Sequence, residues 1–391
     1  MTSTALEKRY LGQSETPEIQ VARAEGSYIF DANGKKYIDF VMGWCVGNFG
    51  WANPDIVRAA KRYRGPDYVY PEYSYKPWGE LARLLASIAP GKLTKCFRAT
   101  GGSEAVELAL QAAMVHTGRR KFLSLEGSYH GNTIGTLSIA DSDNRKKFRN
   151  LLPFCQKIPT PFDSRALGKI EAKLKRRDLA AFIMEPISIN LGVLIPEKAL
   201  MTELQRLCKR YGTLLVMDEV ACGFGRTGKL FASEHFGLAP DIMCLGKAIT
   251  GGVAGMGATI TTEEVGESLA EDGSTWSTFG WHPRSVAVAI ATLRYIIRTQ
   301  KKLLDNVAAM SEYFRARLSQ MEFRKSASIR IQGLAIGLDF GDEEYAEEIA
   351  GKARRNGLLV TSQSEGILLL PALTIDRRVA ERGLAILEDC I

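Results

Sequence analysis

The sequence predicts an α/β protein, with a mostly parallel sheet flanked by helices in the middle of the chain and a smaller α+β domain made from both chain ends. Three observations carry this expectation. Apolar runs of strand length alternate with amphipathic segments through the middle of the chain, a pair of strand-like runs around an Asn-Gly turn precedes them, and an α+β stretch follows from about Ser285. Strands that alternate with helices pair in parallel and leave the helices on the sheet faces.

In order along the chain, Tyr28 to Asp31 and Lys36 to Met42 read as strands joined at Asn33-Gly34, the dipeptide suited to a tight hairpin. Cys96 to Thr100 reads as a strand, Glu104 to His116 as a helix and Lys121 to Leu125 as a strand. Ala180 to Met184 is the next strand, then Ala199 to Tyr211 a helix, and Leu214 to Met217 and Ile242 to Leu245 are two further strands. The expected division is residues 1–54 and 285–391 in the smaller domain and 55–284 in the larger. No repeat, low-complexity segment or linker interrupts it.

With 391 residues, 46% apolar and 24% charged, the chain can bury a large core. It contains no run of eighteen apolar residues, and its first residues lack a hydrophobic segment, so neither a membrane span nor a secretory signal is expected and the default location is cytoplasmic. Seven scattered cysteines without CxxC spacing read as reduced thiols, and four histidines without ligand spacing make a metal centre unexpected. The net charge of +7 is spread thinly, in runs such as Lys173 to Arg177 that read as exposed helix faces, so no nucleic-acid partner is expected. At most it favours anionic substrates and cofactors.

Ligands of such sheets bind beyond the carboxyl ends of the strands. Asp218, Lys247, Glu185 and the Gly101-Gly-Ser loop all follow strands there. A lysine beside glycines at such an end can form a Schiff base with an aldehyde, and a buried carboxylate can keep a pyridine nitrogen protonated, which together suggest pyridoxal phosphate. Singly, each has a plainer reading, as a surface lysine or a helix cap. Gly102 and Ser103 open a helix and could cradle a phosphate on their amides; the plainer reading is that Ser103 and Glu107 form an ordinary cap. Tyr129 and His130, in the glycine-bounded loop Gly127 to Gly131, could stack on a flat cofactor, or Tyr129 could simply fill the core.

The run Met217-Asp-Glu-Val-Ala-Cys-Gly-Phe-Gly-Arg-Thr-Gly228, with Pro240-Asp-Ile, Leu245-Gly-Lys-Ala, Tyr129-His-Gly131, Met184-Glu-Pro186 and Ser277-Thr-Phe-Gly280, resembles the signature of the class III aminotransferases. The resemblance implies fold-type I, with a seven-stranded sheet in the large domain, bound pyridoxal 5'-phosphate, and a homodimer with active sites at the subunit interface. It implies that Lys247 is the Schiff-base lysine and proton carrier and that Asp218 partners the pyridine nitrogen. Val220 and Tyr129 would sandwich the ring beside His130, Gly102 and Ser103 would hold its phosphate, and Glu185 would shape the polar side of the site. Thr278 would reach the phosphate in the neighbouring subunit, unless it is a simple loop hydroxyl. Arg226 reads as a structural salt bridge.

Departures from the pattern point to a branch. Ornithine-, acetylornithine- and γ-aminobutyrate-type members carry a second glutamate and an arginine where this chain has Asn190 and Leu368. Trp44, in Gly43-Trp-Cys-Val46, resembles the tryptophan that walls the hydrophobic pocket of ω-transaminases, and Ala221 also fits that branch. Arg377 stands where the resemblance implies a mobile carboxylate-binding arginine, with Arg378 as the alternative and an exposed first-turn arginine as the plainer reading. The expected activity is ping-pong transfer of an amino group from an amine or ω-amino acid to a keto acid such as pyruvate. A glutamate-1-semialdehyde-type aminomutase, an amino-acid racemase, a decarboxylase and an acetylornithine- or γ-aminobutyrate-type aminotransferase are the alternatives.

Overall fold

The computed structural model of the chain describes residues 3–12, 19–141, 143–273 and 275–391. Near the N-terminus lie β1 (Val21–Glu25), β2 (Tyr28–Asp31) and β3 (Lys36–Asp39). The middle of the chain supplies β4 (Leu93–Ala99), β5 (Lys121–Leu125), β6 (Cys155–Ile158), β7 (Leu179–Met184), β8 (Leu214–Asp218), β9 (Ile242–Leu245) and β10 (Gly257–Thr262). The C-terminal part adds β11 (Ser328–Gln332), β12 (Ala335–Asp339), β13 (Leu358–Leu359), β14 (Thr361–Gln363) and β15 (Gly366–Leu369).

The central sheet has seven strands in the order β4-β10-β9-β8-β7-β5-β6. Strands β5 to β9 pair in parallel, while β10 runs antiparallel to both β4 and β9. The mixed, mostly parallel α/β architecture is the one expected. Every residue of β7, β8 and β9 is buried, as strands covered by helices on both faces must be.

The two chain ends meet in a second sheet, β1-β2-β3-β13, in which Leu358 pairs with Ile38 and Leu359 with Asp39. A third, antiparallel sheet has the order β11-β12-β15-β14. We propose residues 1–54 and 285–391 as one domain on this pairing, with 55–284 as the other. The helix Pro283–Leu318 spans that division: Arg294 and Arg298 pair with Glu80 and Asp55 at 2.5 and 2.6 Å, across to the helices Lys76–Ile88 and Pro54–Arg62.

Two local expectations need correction. The strand expected to run from Lys36 to Met42 stops at Asp39, because the Asp39 carboxylate accepts the amides of Val41 and Met42, each at 2.8 Å, and turns the chain. Met42, Gly43, Trp44 and Cys45 then all take positive φ, 47°, 59°, 57° and 67°. Arg226 is fully buried but makes no salt bridge among the described residues. Its guanidinium donates to the carbonyls of Leu334 and Pro371 at 2.9 and 2.7 Å and to Asn48 Oδ1 at 2.6 Å, tying the glycine-rich loop after β8 to both chain ends.

Candidate active site

Because β10 opposes both β4 and β9, the strands β4, β5, β7, β8 and β9 all point the same way and end at one edge of the sheet. Asp218 is the last residue of β8, Glu185 follows β7 directly, and Lys247 lies two residues past β9. Tyr129 and His130 come from the loop after β5, and Gly102 and Ser103 open the helix Gly102–Thr117 after β4. Gly102, Ser103, Tyr129 and His130 line a cavity of about 160 Å³ together with Glu185, Asp218, Val220 and Lys247.

Asp218 is 3% exposed and held from two sides: His130 Nδ1 lies 2.7 Å from Oδ2, and the Val220 amide donates to Oδ1 at 3.0 Å. A carboxylate fixed this way is oriented before any ligand arrives. Glu185 Oε2 accepts from Ser188 Oγ at 2.8 Å and from the Asn190 side-chain amide at 3.3 Å. Burial first, and the neighbouring Asp218 charge second, push the Glu185 carboxyl up from its ordinary value. Burial and Asp218 push the Tyr129 phenol up in the same order. Glu185 Oε1 and His130 Nε2 are buried without a partner among the described residues.

Lys247 opens a 3₁₀ turn with φ at 44°, the left-handed region that a residue with a side chain enters at a cost of about 1–3 kcal/mol and that clusters at functional sites. The phosphate-cradle reading also has local support. The helix Gly102–Thr117 has Gly101 as its N-cap with no side-chain cap, so the expected alternative, a Ser103–Glu107 cap, does not form. Glu104 turns back to Thr100, accepting its amide at 2.6 Å, and Glu107 accepts the Thr136 amide at 3.3 Å and bonds the Thr133 hydroxyl. A Cβ on Gly102 would meet Val220 Cγ1 at 2.9 Å, so the bare glycine keeps the helix opening close against Val220.

A second, larger cavity of about 920 Å³ is also lined by Lys247, Tyr129 and Asn190, and its walls include Trp44, Leu368 and Arg330. Trp44 and Lys247 line the same cavity. Arg377 and Arg378 line neither cavity: both are exposed in the first turn of the helix Arg377–Glu388, and the Arg377 guanidinium lies 4.9 Å from the Tyr313 ring centroid. Asp376 caps that helix by accepting the Val379 amide at 2.8 Å, which fixes the helix start and sends the arginines outward. Thr278 is exposed, outside both cavities, in a segment with exposed Trp276 and Phe279. Arg330 went unnoticed in the sequence. It sits in Ser328-Ile-Arg-Ile-Gln332, where alternation marks it only as facing away from the apolar side.

A lysine and a locked carboxylate at adjacent strand ends, beside an uncapped helix N-terminus, form an arrangement that suits an aldehyde cofactor bearing a phosphate. The family profile "Aminotransferase class-III" matches residues 10–391, and the chain belongs to the class III aminotransferases. The acetylornithine aminotransferase of Archaeoglobus fulgidus is 36% identical over 386 residues, covering 97% of this chain and 98% of that protein. That of Methanopyrus kandleri is 35% identical, with 99% and 97% covered. Among solved structures, the omega transaminase from Pseudomonas jessenii in complex with PMP superposes with a TM-score of 0.92, at 24% identity and with 100% and 98% of the two chains covered. The ornithine aminotransferase from Toxoplasma gondii gives 0.88 at 25% identity, covering 99% and 93%.

Class III aminotransferases use pyridoxal phosphate to pass amino groups between small amino and keto compounds, and this chain is a transaminase of that kind. Its residues fit the cofactor. The uncapped helix opening suits a phosphate, Asp218 suits a protonated ring nitrogen, and the unpartnered Glu185 Oε1 and His130 Nε2 are polar atoms left for a bound group. No helix among the described residues is long and apolar enough to cross a membrane.

Proposed function

We propose that the chain transfers an amino group from a primary amine or ω-amino acid to a keto acid such as pyruvate, in two half-reactions at one site. The observation that supports this is the wall of the larger cavity. Lys247 shares a largely polar cavity with four apolar side chains, Trp44, Leu191, Ile367 and Leu368, which offer contact to the body of an amine. Leu368 stands where the resemblance places an arginine in other branches, and Asn190, at its glutamate partner's position, is neutral and engaged with Glu185. Joint loss of an acid and its basic partner leaves no desolvated charge behind.

The acetylornithine aminotransferase relatives favour a second reading, in which the donor is an acetylated diamino acid. Such a donor also presents a terminal amine, so the two readings differ in the group carried at the far end. An aminomutase, a racemase or a decarboxylase would need no keto acceptor, would scramble configuration, or would release carbon dioxide.

Bound pyridoxal phosphate supplies an electron-withdrawing ring that accepts the charge left when a proton leaves the amine-bearing carbon. The amides of Gly102 and Ser103 would hold the phosphate at the positive end of the helix. Val220 and Tyr129 would flank the ring, and Asp218, locked by His130 and the Val220 amide, would keep a proton on the ring nitrogen. The Lys247 amine removes the proton from the amine-bearing carbon of the donor and returns one to the keto carbon of the acceptor. Holding the donor beside that amine converts an encounter into an intramolecular step.

The working form is a homodimer, with Thr278 of each subunit reaching the phosphate site of the other. In the segments near Thr278 the exposed rings pack in two groups, Tyr68 with Phe279 at 5.9 Å and Tyr70 with Trp276 at 5.5 Å and Tyr73 at 5.4 Å between centroids. Exposed aromatic side chains of this kind are what subunit contacts use.

The test is a half-reaction. The yellow enzyme is mixed without acceptor with an aryl amine, β-alanine, a diamine, N-acetylornithine, L-alanine or glutamate. Loss of the long-wavelength absorbance with amines or ω-amino acids, restored by pyruvate, is expected. Response to glutamate alone would overturn the ω-donor reading, and response to N-acetylornithine alone would select the second reading.

A further inference from the structure

The larger cavity has three basic side chains, Lys146, Lys247 and Arg330. Lys247 belongs to the cofactor and Lys146 is exposed at the rim, which leaves Arg330 as the cation built into the wall. Its position follows from strand register. Arg330 pairs with Gly337, Gly337 with Leu368 and Leu368 with Thr361, so the four lie in one row across β11-β12-β15-β14. Directly paired residues point to the same face of a sheet, so Arg330 and Leu368 share the cavity face with only a glycine between them.

The glycine is what admits the neighbouring turn. A Cβ on Gly337 would meet Gly192 O at 2.4 Å, so the turn carrying Leu191 and Gly192 rests directly on the sheet there. Arg330 Nη1 donates to both of its carbonyls, at 3.2 Å to Leu191 and 3.0 Å to Gly192. Nη2 pairs with Asp339, whose other oxygen accepts the Gly341 amide at 3.1 Å. The guanidinium is therefore fixed in orientation, and its side chain remains 29% exposed. Of its five N–H groups, Nε–H and one hydrogen of Nη2 have no protein partner among the described residues.

We propose that Arg330 binds the substrate carboxylate, both of the keto-acid acceptor and of an ω-amino acid donor, and that Asp339 is the anion it pairs with when an uncharged amine is bound. The proposal rests on the transaminase reading above and names the residue that separates acids from simple amines. An arginine with two donors free on neighbouring nitrogens suits a planar carboxylate, and carboxyl oxygens gain more from it than from a lysine of the same reach. Asp339 keeps its own hydrogen of Nη2, and its negative charge opposes a second carboxylate on the same guanidinium. Removing its charge therefore favours the acid, while removing the arginine disfavours it.

The test uses the holoenzyme and two variants, Arg330→Gln and Asp339→Asn, with propionate as a non-reacting carboxylate whose binding is followed by calorimetry. Arg330→Gln is expected to weaken propionate binding and raise KM for pyruvate about tenfold or more, as loss of a charge-assisted pair requires, a change several times larger than any in the aryl-amine half-reaction. Asp339→Asn is expected to move both quantities the opposite way. Unaltered propionate affinity in a folded Arg330→Gln enzyme would overturn the assignment. A parallel loss in amine and acid reactions by both variants, with lowered thermal midpoints, would overturn it too by making the pair structural. If the unmodified enzyme accepts no ω-donor, the donor reading fails, while propionate binding still decides the carboxylate site.

Discussion

Glu185 is the most costly residue of the site to bury. It is 3% exposed, has one oxygen unpartnered, and is pushed up in pKa by burial and by Asp218. A carboxyl whose folded pKa lies above its unfolded value contributes stability below the unfolded pKa and loses it as pH rises through the folded one. Glu185→Gln in the apoenzyme should therefore gain thermal stability relative to the unmodified protein at pH 8, by about 1–2 °C, and less at pH 5. An equal change at both pH values would contradict the buried-charge account. Lys247 and Asp218 were legible because each closes an apolar run. The partner of Asp218 was legible only in part. His130 was placed beside the cofactor, but its 2.7 Å bond to Asp218 joins residues 88 positions apart and has no local trace. Lys247 gave no sign of its left-handed backbone, because steric strain is imposed by the tertiary fold around it.

At the scale of elements, Arg226 shows how loops are locked around the site. Its three oxygen partners come from Asn48, Leu334 and Pro371, so one side chain joins the loop after β8 to both ends of the chain. Arg226→Met should cost about 3 kcal/mol or more, because the three oxygens stay buried with nothing to accept from, and urea unfolding of the apoenzyme would read it. A loss below about 1 kcal/mol would mean that water or a neighbouring donor replaces the guanidinium. The strands β5, β7, β8 and β9 were legible as apolar runs of the right length. The reversal of β10 was not, since strand direction is set by the connection and leaves no periodicity of its own. The end of β3 also escaped notice, because Asp39 stops it through its side chain while the apolar pattern continues to Met42. The outward start of the helix Arg377–Glu388 was not legible either, because the Asp376 cap that sets it acts through a side chain.

For the whole molecule, the sheet edge gathers the residues of one cavity, and the proposed dimer would use the exposed aromatic side chains near Thr278. Trp276→Glu places a charge within the exposed aromatic cluster near Thr278 and should shift the protein from dimer to monomer in sedimentation. Unchanged sedimentation would move the subunit contact elsewhere. The class of fold was legible because alternation of strands and helices extends through the middle of the chain, whereas the joining of the two ends rests on β3 and β13, whose pairing partners are more than 300 residues apart. The central claim is that five parallel strand ends deliver Lys247 and Asp218 into one cavity as a cofactor-bound transamination site. The measurement that tests it most directly is the absorbance spectrum and steady-state turnover of Lys247→Ala prepared with pyridoxal phosphate. The account predicts loss of the long-wavelength band and of all turnover in a folded protein; measurable steady-state transamination by that variant would contradict it.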